Sequence, residues 1–134
     1  MKKKIIIILG VFAICIVSFA VTFFPVRHVS PSISISSPSV SVTFDTGNTI
    51  ATVSGVRAQN AFQALQEAAK KQHLPLQTKQ YDFGIFVEQI GVLANTKEKS
   101  WIYFVNGKSG EVAADTYKVK TGDTVEWKYT TPIY

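Results

Sequence analysis

The side chains that could carry catalysis in this chain are two histidines, one cysteine and nine carboxylates among 134 residues. Nucleophilic catalysis needs a Ser, Thr or Cys beside a base that a third group orients. His28 and His73 are 45 positions apart and stand in no catalytic motif. A zinc site asks for three or four clustered ligands, which this pair does not supply. There is no Gly-rich phosphate loop and no G-x-S-x-G elbow. Carboxylate pairs are the remaining option: Asp82 and Glu88 bracket one apolar run, and Asp115, Asp123 and Glu126 lie near the C-terminus. Glycoside hydrolysis needs two such groups about 5–10 Å apart across a deep cleft. A domain this small has little material for that cleft, and Asp115 and Asp123 read as turn-stabilising side chains. The expectation is a protein that is not an enzyme, with no catalytic and no metal-ligating residue.

Binding chemistry is better represented. Phe83, Phe86, Trp101, Tyr103, Trp127 and Tyr129 fall within fifty residues of one another. In Trp101–Val105 the residues Trp101, Tyr103 and Val105 share one strand face while Ile102 and Phe104 share the other. A strand apolar on both faces is either covered twice or has a face awaiting a partner. One helix covers one side of a sheet, so part of this aromatic set is expected to stay exposed. A flat ring stacked on such a surface gains about 0.5–1.5 kcal/mol beyond area burial.

The elements that would position these groups can be read in order. Val40–Phe44 alternates apolar and polar residues as a half-buried strand does, Asp45–Asn48 is a turn cluster, and Thr49–Val53 returns as the second arm of a hairpin. Asn60, with Gln63 three residues on, predicts a capping-box start to a helix. Phe62, Leu65 and Ala69 mark its apolar face, and Leu74-Pro75 predicts its end near Gln72–His73. Gln77–Tyr81 and Gly84–Ile90 are strand candidates joined by an Asp82-Phe83-Gly84 kink. Trp101–Val105 ends in Asn106-Gly107, a pair suited to a type I′ turn. Ser109–Thr116 is irregular, Tyr117–Lys120 reads as a short strand, and Thr124–Thr130 as the last one. A hairpin, one helix and further strands predict an α+β domain, a β-grasp-like mixed or antiparallel sheet with one packed helix.

FGIFVEQI, the loop ANTKEKS, WIYFVNGK and AADTYKVKTGDTVEWKY, with the helix before them, resemble the transcobalamin-like C-terminal domain family over roughly Val40–Tyr129. In the animal cobalamin carriers this domain closes one side of the vitamin B12 pocket, and it also occurs as a small module on bacterial surface proteins. The resemblance implies a compact sheet-plus-helix fold and a corrinoid, cobalamin-like ligand or another small ligand. Its matching landmarks are Phe83-Gly84, Ser100-Trp101 and Ala114–Tyr117; together with the strand face that Tyr103 shares with Trp101, they give Phe83, Gly84, Trp101 and Tyr103 as the candidate ligand-binding residues. Phe83 stands where the carriers tend to have Trp, and the helical barrel that completes the carriers' pocket has no counterpart here.

Charge and hydropathy place the domain. The formal charge is +5, but without Lys2, Lys3 and Lys4 there remain 11 basic and 9 acidic residues. No Arg-rich stripe is present, so nucleic acid is not an expected partner. Ile5–Phe24 is 20 residues without charge and with only Ser18 and Thr22 as polar groups, about 30 Å as a helix. Preceded by three lysines, it predicts a transmembrane signal anchor, residues 1–24, with the chain beyond it outside the cytoplasm. The alternative is a cleaved signal sequence and secretion. Cys15 lies inside this run behind the bulky Ile14, which does not suit a lipidation site. Residues 25–39 form a Ser/Pro-rich linker and residues 40–134 the domain. The function expected is a membrane-anchored extracytoplasmic binding module, or alternatively a structural module that docks a cell-surface protein partner.

Overall fold

A computed structural model of the chain describes residues 36–132. The expected anchor, Cys15, His28 and most of the linker lie outside the described residues. No helix among the described residues is long and apolar enough to cross a membrane.

The described residues form an α+β arrangement of two sheets and one helix. Strands β1 (Ser39–Asp45) and β2 (Ile50–Arg57) make the first hairpin, and helix α1 (Ala61–Lys71) follows. Then come β3 (Leu76–Tyr81), β4 (Gly84–Ile90), β5 (Leu93–Ala94), β6 (Ser100–Val105), β7 (Lys108–Ser109) and β8 (Thr124–Thr130). The larger sheet has the order β2-β1-β8-β6-β7. Its strands pair antiparallel except for β1 and β8, which run parallel from Ser41 opposite Thr124 to Asp45 opposite Lys128. The smaller sheet, β3-β4-β5, is antiparallel throughout.

Alternation decides which face of the larger sheet is dry. Val40, Val42 and Phe44 of β1, Val125 and Trp127 of β8, and Trp101, Tyr103 and Val105 of β6 are all buried and register-matched on one side. Helix α1 covers the β2-β1-β8 part of that face, and β4 lies against β6. The opposite face is polar and half-exposed. There Lys128 reaches Asp45 at 3.6 Å and Glu126 at 3.7 Å and lies over the Phe104 ring. Its alkyl stem accounts for an outward Phe104, since such stems cover apolar surface while the ammonium stays wet.

Two bulges set the inward residues of β2 and β4. Val40 pairs with Val56 but Val42 with Val53, so Ser54 and Gly55 oppose the single Ser41, with Gly55 at φ 67°. A one-residue insertion reverses the facing of everything beyond it, which is why Val53 and Val56, three apart, are both buried. In β4 the register slips between Gln77 and Thr78, and Val87 and Ile90 become the inward pair.

The helix start is fully capped. Asn60 Oδ1 accepts from Gln63 N at 2.7 Å, while Gln63 Oε1 accepts from Gln59 N at 3.0 Å, one residue earlier than a capping box places it. The remaining first-turn donors reach across the fold: Ala61 N to the Tyr117 carbonyl and Phe62 N to the Ala114 carbonyl, both 3.0 Å. At the other end His73 takes φ 53°, with Leu74 N bonded to the Ala69 carbonyl and His73 N to the Lys70 carbonyl, the six-to-one and five-to-two pattern of a Schellman stop. Replacing Asn60 by Ala should lower stability by about 1 kcal/mol, read as a drop in the urea midpoint at unchanged slope.

Two expectations need correction. The strands do not join one sheet: β3, β4 and β5 form a second one, because the Asp82-Phe83 pair is the tight turn of its own hairpin, with Tyr81 opposite Gly84. Tyr117–Lys120 is no strand but a bend carrying one bridge, Lys118 to Asn60. The Asn106-Gly107 turn has both residues at positive φ, 51° and 80°, as a type I′ turn requires.

Candidate functional site

A cavity of about 620 Å³ lies between β4, β6, β8 and the segment from Gly110 to Thr116. Phe83 and Phe86 stand at its rim with Val112, and Trp101, Tyr103 and Trp127 form its deep side. The apolar composition follows from the fold. Trp101, Tyr103 and Trp127 point to the dry face of the larger sheet, and the small sheet supplies the facing wall through Ile85 and Val87.

The expected surplus of exposed rings is thus divided. Trp101 is 4 % exposed and Tyr103 8 %, so neither forms an open platform. The second sheet shelters what the helix does not reach. Phe83, at 65 % exposure, does face solvent. Its ring stacks on Tyr81 with centroids 5.2 Å apart and planes 6° from parallel, and Phe86 meets Tyr81 edge-on at 6.2 Å. Lys79 Nζ sits 5.1 Å from the Tyr81 ring centre. Three partly exposed aromatics therefore cluster at the mouth of the cavity.

The deep rings are held by hydrogen bonds as well as by packing. Trp101 Nε1 donates to the Leu93 carbonyl at 2.8 Å, and Trp101 N donates to Asn95 Oδ1 at 2.9 Å. Asn95 Nδ2 in turn donates to the Val87 carbonyl at 2.8 Å, and Tyr129 Oη donates to the Ala94 carbonyl at 2.8 Å. These bonds tie the turn after β4 to the larger sheet. Tyr103 Oη donates to the Val112 carbonyl at 2.5 Å.

The segment carrying Val112 is fixed by close approaches that only glycine permits. A Cβ on Gly110 would fall 1.9 Å from Tyr103 Cζ. Gly84 has φ 132°, and a Cβ there would lie 2.5 Å from both Ala113 Cβ and Asp115 Oδ1. Asp115 Oδ1 also accepts from Ile85 N at 3.1 Å. Of the residues singled out from sequence, Phe83, Trp101 and Tyr103 line the cavity, whereas Gly84 touches no cavity space and instead lets β4 close onto Ala113 and Asp115. Trp127 and the Gly110–Ala114 wall were not singled out as site residues. The signal available for the wall was the run of small residues, Gly110 and Ala113-Ala114, in an otherwise aromatic-rich region.

Burial pushes the Tyr103 phenol up to about 12 from its ordinary 10, and the nearby Tyr117 and Asp115 charges push the same way. The folded state therefore favours the neutral phenol. Below pH 10 neither folded nor unfolded chain ionises it, and its contribution is whole. Between about pH 10 and 12 the unfolded chain loses the proton first, so stability falls across that window. Urea midpoints from pH 8 to 12 should decline less steeply in Tyr103→Phe than in the parent.

The sequence family described as Domain of unknown function (DUF4430) matches residues 58–131, more than half of the chain. No curated protein matches it. Among solved structures the fold is similar to a Ruminococcus gnavus ATCC 29149 protein described as a "putative metal binding protein". The likeness has a TM-score of 0.58 at 18 % identity and covers 72 % of this chain and 99 % of that one.

Proposed function

The chain belongs to the DUF4430 family, and from that premise we propose that its domain is a binding module for a small ring-bearing ligand. The observation that carries this is the apolar cavity of about 620 Å³ with an exposed aromatic mouth at Phe83 and Phe86. Small-molecule sites are of this size and lining, roughly 300–1,000 Å³ of mostly apolar wall with a few polar groups. Binding rather than catalysis is the reading, since the only carboxylate on the lining is Glu111 and no histidine or cysteine joins it. The metal description of the structural neighbour is not carried over. Among the described residues no group of three or more His, Cys, Asp and Glu comes together.

The finer version of this reading draws on the sequence resemblance to the transcobalamin-like C-terminal domain. The sheet order β2-β1-β8-β6-β7, with β1 parallel to β8, supports the β-grasp-like description expected from the order of the elements. A corrinoid exceeds a drug-sized molecule, so this cavity would seat one edge of it and leave the rest to a partner chain. The same reading puts the domain outside the cytoplasm behind the apolar run at residues 5–24, and N-terminal sequencing of the mature protein decides between an uncleaved anchor and a cleaved signal.

The direct experiment is calorimetric titration of the full chain, held in lipid nanodiscs, with cyanocobalamin. Saturable heat that weakens in Phe83→Ala supports the corrinoid version, and no heat at millimolar ligand removes it. A second reading, docking of a protein partner, has one observation in its favour. Strand β3 forms an outer edge of the smaller sheet, and its residues from Gln77 to Tyr81 are all exposed. Such an edge can accept an added strand.

A further inference from the structure

The two indoles of this chain differ in one respect. Trp101 Nε1 is bonded to the Leu93 carbonyl, a structural pairing. Trp127 Nε1 is buried and has no hydrogen-bond partner among the described residues. Trp127 is 2 % exposed, and its side chain lines the cavity beside Tyr103, whose ring centre is 5.5 Å away at a 35° tilt. Nearly all buried donors in folded proteins are paired, so a lone one asks for an explanation. The unmet donor and the apolar cavity coincide at one residue.

We infer that Trp127 is the specificity-determining donor of the cavity, giving its Nε1–H to an uncharged acceptor oxygen, a carbonyl or ether, on the edge of a ring-bearing ligand. The inference rests on the binding reading above and names the polar group that orients the ligand. The acceptor is uncharged because the lining offers no cation and carries one carboxylate, Glu111, near its exposed side. An anion entering there would lose its water without gaining a counter-charge. Phe83 and Phe86 at the mouth supply apolar faces, and Trp127 a directional contact on the deep side, away from the exposed Glu111 and Thr116. Packing shields the nitrogen itself, so the proposed contact requires a small displacement of the cavity wall.

The test uses two probes of one shape, acetophenone and α-methylstyrene, which differ by C=O against C=CH2. The full chain in lipid nanodiscs, labelled with 15N at its tryptophans, is titrated with each. Acetophenone should move the Trp127 indole N–H resonance downfield and leave that of Trp101 in place, while α-methylstyrene should not move it downfield. The ratio of the two affinities should fall about tenfold in Trp127→Phe, the scale of one neutral hydrogen bond. Partition into lipid cancels, because parent and variant meet the same free probe. If the Phe variant does not fold, replacing Trp127 by benzothienylalanine removes the N–H and keeps the ring shape. Binding of both probes with an unmoved indole and an unchanged affinity ratio overturns the inference and leaves the binding reading standing. Failure of both probes to perturb any cavity resonance removes both readings.

Discussion

Gly84→Ala should cost the domain about 2–6 kcal/mol, a large part of the roughly 5–15 kcal/mol typical of a whole domain. Two separate penalties add. The backbone at φ 132° is one that only glycine adopts without strain, worth about 1–3 kcal/mol. The new methyl would also meet Ala113 Cβ and Asp115 Oδ1 at 2.5 Å each, and overpacking of that kind costs about 1–3 kcal/mol. Neither neighbour can retreat cheaply. Asp115 is bonded to Ile85 N, and the segment behind it is bonded to the helix start through the Ala114 carbonyl. The variant should therefore show a strongly lowered urea midpoint and a disturbed cavity wall. An Ala variant within 0.5 kcal/mol of the parent would mean that β4 and the Gly110–Thr116 segment are not packed as described.

Trp101→Ala should be nearly as damaging, at about 3–5 kcal/mol. It removes a buried ring packed 5.3 Å from Tyr129 and also deletes the Leu93 anchor. Phe83→Ala offers the contrast. Phe83 is mostly exposed, so its loss should change stability by less than about 0.5 kcal/mol while weakening whatever ligand enters between Phe83 and Phe86. Denaturation and ligand titration of the two variants then separate scaffold from contact surface. A Phe83 variant as unstable as the Trp101 variant would contradict the open stacking on Tyr81.

The contrast also shows what could be read from sequence and what could not. The hairpin β1–β2, the helix with its Asn60 cap and the strands β6 and β8 were legible from alternation, turn residues and capping signals, although β2 runs past its bulge to Arg57, beyond the expected end at Val53. The second sheet was not. Its strands were expected at Gln77–Tyr81 and Gly84–Ile90, but the inward pair, Val87 and Ile90, is three residues apart across a bulge, so no two-residue period shows which face packs or that the strands stand apart from the larger sheet. That is why the aromatic face of β6 was expected to be partly bare. Within the site, Phe83, Trp101 and Tyr103 were named beforehand and do line one cavity. Trp127 and the Gly110–Ala114 wall escaped for different reasons. Trp127 looks like any inward residue of its strand until the missing partner of its nitrogen is seen. In the wall, Gly110, Ala113 and Ala114 let other groups come near, and although their small size is visible locally, which groups approach from thirty positions away is not.

The parallel pairing of β1 with β8 has a mechanical consequence. These two strands carry the incoming and outgoing ends of the domain and lie side by side, running the same way. Tension applied between those ends would slide one strand along the other, loading the whole run of bonds from Ser41–Thr124 to Asp45–Lys128 together in shear. Hydrogen bonds loaded in common resist far more than bonds peeled singly, and the Lys128–Asp45 ion pair adds a further latch at the far end. A domain built this way would hold its shape while being tugged.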